Sequence, residues 1–301
     1  MGIKIAFLDW YPGFNENHIY VRLLSRALGC RVQVTDLERA EIILVGPYGQ
    51  AKNYLHKKPF QIIIFGSGEN TRPDYRFCDL SLTLDICTYN GKNVRIPAWA
   101  GEFDFWGDFP NAIYSQAETE QILATNQPLF VGSFEIDKPL IAIFSTYEQN
   151  RISVLMSLEN KFANISKIGK LWGNGEACRD SESLFAAKRE FLKGYTMNLC
   201  FENSIAPGYV TEKILHARMA GCLALTYAHP SCNIDYCTVG LLNFHDYLDV
   251  ESYINSVYEL FQDLYQLEIL RRSQVFARIP DVDLLVSSVQ KALAPYLRQW
   301  V

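Results

Sequence analysis

No apolar run in this chain approaches the roughly 20 residues needed to span a bilayer. No Gly-x-Gly-x-x-Gly follows the first apolar run, so the dinucleotide fingerprint is excluded. No Cys-x-x-Cys pair occurs, which argues against a zinc or thioredoxin-like site. His216 and His229 stand at no metal-ligand spacing from another His or Cys. The single Asp-x-Asp, Asp281-Val-Asp283, borders a C-terminal helical pattern, where capping is the plainer use. There are no repeats and no low-complexity tract. Charge of one sign is also scarce: 28 Lys and Arg against 33 Asp and Glu give a net charge of −5. No global field recruits nucleic acid or an anionic membrane, so any phosphate site is built locally from a few cations. The N-terminus lacks a basic region followed by an apolar core, as a signal peptide would have, and Ala6 breaks the myristoylation pattern. These absences lead to the expectation of a cytoplasmic protein.

Eight cysteines are present, thinly spread, with Cys200 and Cys222 inside apolar runs, as reduced buried thiols are. The 301 residues suffice for two domains. Apolar runs at Ile3–Leu8, Arg31–Thr35, Ala40–Gly46 and Gln61–Phe65 read as buried strands. A helix with Ile19, Leu23, Leu24 and Leu28 on one face lies between the first two. A looser stretch follows, with a helix expected at Gln116–Thr125. A second α/β series has strands expected at Leu140–Ser145, Lys167–Trp172, Met197–Phe201 and Gly221–Tyr227. Its helices are expected at Asn150–Lys161, Glu182–Gly194, Val250–Phe276 (in one piece or two) and Leu284–Trp300. The expected fold is α/β of the GT-B kind, two Rossmann-like domains facing a central cleft. The expected boundaries are 1–137, 138–280 and a C-terminal helix over 281–301 that crosses back onto the first domain.

Three segments carry chemistry. The most informative runs from Asn198 to Ala217: a strand end, a polar loop with Gly208, and a helix opening near Thr211. Glu212 suits the helix dipole there, whereas Lys213 opposes it and invites an anion. An ordinary βα turn with solvated charges is the plain alternative. The second segment, Phe65-Gly-Ser-Gly-Glu-Asn70, follows a buried strand and presents Glu69 on a glycine-flexed turn; a solvated turn carboxylate is the alternative. The third, Phe144-Ser-Thr-Tyr-Glu-Gln-Asn-Arg151, opens a helix with an arginine able to grip phosphate, or merely to pair with Glu148.

The order FENS-x(3)-GYVTEKI-x(2)-A at 201–217 strongly resembles the signature of the α1,3/4-fucosyltransferases. Gly68-Glu-Asn70, Pro73-Asp-Tyr75, Asp79, Asp85 and Arg95-Ile-Pro97 resemble that family's acceptor-domain block in order. The chain departs from it around Asp85–Asn90 and at Trp172-Gly173. The resemblance implies an inverting, metal-independent transfer of L-fucose from GDP-fucose to O3 (or O4) of N-acetylglucosamine in lactosamine-type glycans, with no cofactor. It makes Glu69 the general base and Arg151 and Lys213 the diphosphate ligands. Glu202, Asn203, Tyr209 and Glu212 would line the donor pocket, with Asn174 a weaker match. Asp74, Asp79 and Asp85 read as surface or capping acids. A GT-B enzyme using another sugar nucleotide, and a catalytically dead sugar- or nucleotide-binding protein, remain open beside this reading.

Overall fold

The computed structural model describes residues 2–132, 138–144, 147–173, 188–189 and 191–297. Its contacts divide the chain into two compact units, one of residues 1–112 with 281–301 and the other of 113–280. The boundary expected near residue 137 thus falls some way earlier. The reason lies in helix α2 (Gln116–Thr125), whose C-cap residue Asn126 donates to the Phe276 carbonyl and accepts from the Phe276 N–H. Phe130 N–H also donates to the Met219 carbonyl, so this stretch is hydrogen-bonded into the second unit. Among the described residues no helix is long and apolar enough to cross a membrane.

The first unit is built on a six-stranded, wholly parallel sheet in the order β2-β1-β3-β4-β5-β6. Its strands are β1 (Ile3–Leu8), β2 (Val32–Val34), β3 (Ile42–Val45), β4 (Ile62–Ser67), β5 (Leu80–Thr83) and β6 (Asn93–Arg95). β3, β4 and β5 are buried along their whole length, the pattern of a sheet covered on both faces. Alternation sends Ala6, Ile43, Val45, Ile63 and Phe65 to one face, where Leu37, Leu55 and Tyr75 pack on them. Each of the Ile, Val and Phe side chains contributes about 1.5–3 kcal/mol by leaving water. Helix α1 (Ile19–Leu28) buries Ile19, Leu23, Leu24 and Ala27 and ends at Gly29, whose φ of +62 is the left-handed cap glycine tolerates. The last helix, α7 (Val282–Leu297), packs against α1 and β6, and Tyr296 donates its hydroxyl hydrogen bond to the Asp79 carbonyl. Asp281 accepts the Leu284 N–H, so the lone Asp-x-Asp does cap a helix.

The second unit carries a five-stranded parallel sheet, β11-β10-β9-β7-β8. Its elements are β7 (Leu140–Ile143), α3 (Gln149–Glu159), β8 (Ile165–Ile168), β9 (Met197–Leu199), α4 (Lys213–Met219), β10 (Leu223–Thr226), β11 (Leu241–Asn243), α5 (Val250–Gln262) and α6 (Leu264–Arg271). The strand expected over Lys167–Trp172 stops at Ile168. Gly169 turns at φ +135, where a Cβ would lie 1.9 Å from the Phe144 carbonyl oxygen, and residues 170–172 form a 3-10 turn. The helical stretch after Val250 breaks at Asp263, which ends α5 and caps α6 by accepting the Gln266 N–H. Of the helix expected at Glu182–Gly194, residues 182–187 and 190 lie outside the described residues. The core gathers Leu140, Phe144, Leu155, Leu158, Leu199, Leu225, Tyr253 and Val257.

Candidate functional site

Both sheets share one topology: the chain makes its first strand, adds the second on one side, then crosses to the other side for the third. The strand order therefore reverses between β1 and β3 in the first unit and between β7 and β9 in the second. In open parallel sheets ligands bind beyond the strand C-termini at such reversals. The second unit's candidate residues cluster at its reversal, after β7 and β9, whereas Glu69 follows β4, one strand outward from the first unit's reversal.

In the second unit, the loop after β9 meets the start of α3. Arg151, in the first turn of α3, is only 2% exposed and lies 4.5 Å over the Phe144 ring. Its guanidinium donates to the Phe201 carbonyl (2.9 Å) and to Asn203 Oδ1 (2.7 Å). Burial works against its charge, while Glu148 and Glu202 favour it. Arg151, expected as a phosphate ligand, holds the signature loop in place; it is buried rather than on the surface, and Glu148 is foremost among the charges that favour its own.

The Glu202 carboxylate is fully buried. It accepts the Thr211 N–H (2.8 Å), the Thr211 hydroxyl (2.9 and 3.1 Å) and the Lys213 ammonium (2.8 Å). Lys213 Nζ also reaches Thr211 Oγ1 at 3.1 Å. Burial opposes the Lys213 charge, but Glu202 and Glu212 outweigh it and raise its pKa. Glu212 caps α4 by its backbone position and meets Lys188 at 3.4 Å. Burial alone would raise its pKa, yet Lys188, Lys213 and His216 together hold the carboxyl well below the usual range. Tyr209 is packed in, 3% exposed. The structure thus brings together Arg151, Glu202, Asn203, Tyr209, Glu212 and Lys213 around one loop; Asn174 lies outside the described residues. The helix opens at Lys213 rather than Thr211, because Thr211 is drawn onto Glu202.

In the first unit, Glu69 is exposed just past the end of β4. Its N–H donates to Ser67 Oγ, and its carbonyl accepts the Thr71 N–H, which folds the turn tightly. Its Oε1 accepts a hydrogen bond from the Tyr48 hydroxyl at 3.1 Å. Burial and the facing Glu69 carboxylate push the Tyr48 hydroxyl up to about 12, so it remains a donor at neutral pH. Arg72 ties the same turn down, donating to Asn70 Oδ1 and meeting the buried Asp85 at 3.0 Å. Asp85 also accepts from Tyr89 Oη and Cys87 N–H. Asp79 binds Lys57 and the Ile63 N–H, and Asp74 binds Arg76, so these acids serve local structure.

Sequence reasoning missed Tyr48, Arg72 and Lys188. Tyr48 had one faint signal: a tyrosine in the loop beyond the C-terminal end of a buried strand. Among the described residues no three His, Cys, Asp or Glu side chains gather as metal ligands would. The seven described cysteines are all free thiols, and burial pushes Cys222 up to about 12.

Residues 5–101 match the family of the alpha-(1,3)-fucosyltransferase FucT N-terminal domain. The chain is 23% identical over 273 residues to alpha-(1,3)-fucosyltransferase FucT of Helicobacter pylori, a match covering 85% of this chain and 56% of that protein. It thus spans little more than half the length of that curated relative. Among solved structures, an α1,3-fucosyltransferase is similar with a TM-score of 0.75 at 18% identity, over 97% of this chain and 90% of the other. A GDP-fucose complex of an α1,3-fucosyltransferase gives 0.71 at 17% identity over the same shares. Anabaena HepE, solved with UDP and glucose, gives 0.54 at 12% identity, over 97% of this chain and all of the other. The fold is α/β of the GT-B class, with two Rossmann-like units.

Proposed function

We propose, on the premise that this chain belongs to the alpha-(1,3)-fucosyltransferase family, that it moves L-fucose from GDP-fucose to O3 (or O4) of N-acetylglucosamine in a lactosamine-type glycan. The observation that carries this reading is the pair of cations, Arg151 buried and Lys213 part-buried, at the strand-order reversal of the second unit. Arg151 lies beneath the signature loop, and Lys213 points from the helix start onto Glu202 and Thr211.

In the proposed step, the Glu69 carboxylate takes the proton of the acceptor hydroxyl. The acceptor oxygen forms its bond to C1 of fucose as the bond from C1 to the diphosphate oxygen breaks. The electron pair leaves with GDP, and the anomeric configuration inverts. Lys213 and Arg151 offset the charge that grows on the diphosphate, the task a metal ion performs in other transferases, so no metal is required. An ammonium has three N–H bonds; two point to Glu202 and Thr211, and the third serves a phosphate oxygen. Glu202 acts through Lys213 and Thr211 rather than by touching the sugar. Glu212, held ionised by Lys188 and Lys213, accepts from donor hydroxyls. Asn203 and Tyr209 shape the loop over the nucleotide, and Asn174 belongs to the same donor set. The partners are GDP-fucose and a glycan, with no nucleic acid, and the site of action is the cytoplasm of a bacterial-type cell.

The test is transfer of labelled fucose from GDP-fucose to N-acetyllactosamine by the full chain, with and without EDTA. The reading expects equal product in both. Transfer from a different sugar nucleotide alone would overturn the donor, and loss of activity in EDTA would overturn the metal-free step.

A further inference from the structure

The first unit carries a dense aromatic cluster that the transfer step leaves unused, at the reversal between β1 and β3. After β1, Asp9 adopts a left-handed backbone, φ +58, uncommon for a non-glycine residue although Asp tolerates it better than most. The Asp9 carboxylate accepts the N–H groups of Ala51 and Lys52, and its carbonyl accepts the N–H of Tyr48. Gly49 and Gly46 make room for this: a Cβ on Gly49 would lie 2.0 Å from Asp9 Oδ1, and one on Gly46 2.6 Å from the Asp9 carbonyl oxygen. Trp10 is anchored by its indole N–H to the Leu44 carbonyl and stacks on Phe14 at 3.8 Å and 15°.

The turn fixes two loops against each other and presents Tyr11 and Tyr48 at the surface. They are 43% and 56% exposed, their rings edge to face at 6.1 Å. Tyr48 is the ring whose hydroxyl bonds Glu69. Rings set edge to face form an apolar corner beside the carboxylate: a pyranose lays its C–H face on one ring, meets the edge of the other, and turns its rim of hydroxyls to the carboxylate. The Glu69 charge disfavours a phosphate there. The nearby Lys52 ammonium is turned inward to the carbonyls of Gly46 and Gly49.

We propose that Tyr11 and Tyr48 form the acceptor-sugar subsite. The sugar lays its C–H face on one ring against the edge of the other, and Tyr48 acts as a positioning residue that holds the Glu69 carboxylate toward the sugar's hydroxyl rim. This rests on the fucosyl-transfer reading, of which it names the acceptor contacts.

The test uses the full chain with Tyr11→Ala, Tyr48→Ala and Tyr48→Phe, reading kcat and the KM of each substrate with N-acetyllactosamine as acceptor. Tyr11→Ala and Tyr48→Ala raise the acceptor KM by about fivefold or more, the size of one stacking contact, and leave the GDP-fucose KM unchanged. Tyr48→Phe keeps the ring and loses the hydroxyl, so kcat falls while the acceptor KM holds. If the chain transfers fucose and both alanine variants keep the acceptor KM within about twofold, the subsite is wrong while the function stands. If the chain transfers no fucose, ligand-observed NMR of N-acetyllactosamine decides. Binding that the alanine variants weaken retains the subsite and removes the transfer reading. Binding that they leave unchanged, or no binding to the unaltered chain, removes the subsite.

Discussion

Lys213 begins a helix, where its charge opposes the dipole, and the structure answers with Glu202 rather than with solvent. The two are unequal: the Glu202 carboxylate is wholly buried, while the Lys213 side chain keeps 20% of its exposure. Removing the cation leaves a buried carboxylate without its counter-charge. Lys213→Met is therefore expected to destabilise by on the order of 3 kcal/mol. Glu202→Gln leaves a lysine that reaches water and costs about 1 kcal/mol. The double variant should cost less than the sum of the two, because the second substitution removes the charge that the first exposed. Chemical denaturation of the four proteins measures this; strict additivity would show that the pair is not coupled. Arg151 follows the same logic, since its two carbonyl acceptors place it where it holds Asn203 as well as charge.

At the scale of elements, helix α1 shows how a cap can carry a pH dependence. His18 is its N-cap, accepting the Tyr20 N–H, and its ring lies among Phe14, Tyr20 and Trp10. Burial lowers its pKa to about 4, against an ordinary 6.5. The folded form keeps the ring neutral while the unfolded chain takes up a proton below pH 6.5. The stability held by the neutral ring is thus complete above pH 6.5 and lost as pH falls toward 4, by at most about 1.4 kcal/mol per unit. His18→Asn keeps a capping acceptor and removes this titration. Thermal unfolding between pH 7 and 5 is expected to fall more steeply for the unaltered chain than for His18→Asn; parallel slopes would contradict it. The sequence made β1 and β4 legible through unbroken apolar runs, α1 through apolar residues at helical spacing, and α2 as a short helical stretch. It concealed β5, β6 and β11, three or four residues each, whose strand character comes from parallel partners distant in the chain. It also concealed the early unit boundary, which depends on Asn126 bonding a residue 150 positions away. The residues of the proposed donor loop could be picked out because they fall in one contiguous run, Glu202 to Lys213. Tyr48 could not, since only the pairing of β3 with β4 brings it to Glu69.

Across the whole molecule, one topology is used twice; the second unit's candidate residues sit at its reversal of strand order, and Glu69 follows β4, one strand outward from the first unit's reversal. The proposed labour is divided: the first unit supplies the base and the second the donor ligands. Chain ends do not respect this division, because α7 returns to pack on α1. The division makes a demand that a single variant can check. Glu69→Gln removes the base from one unit and leaves every proposed donor ligand in the other intact. The measurement is kcat for fucose transfer to N-acetyllactosamine, made beside GDP affinity by calorimetry on the same protein. The account predicts a fall in kcat of about a hundredfold or more with the GDP dissociation constant unchanged. Full transfer activity in Glu69→Gln, or a loss of GDP affinity that parallels any loss of rate, would contradict it.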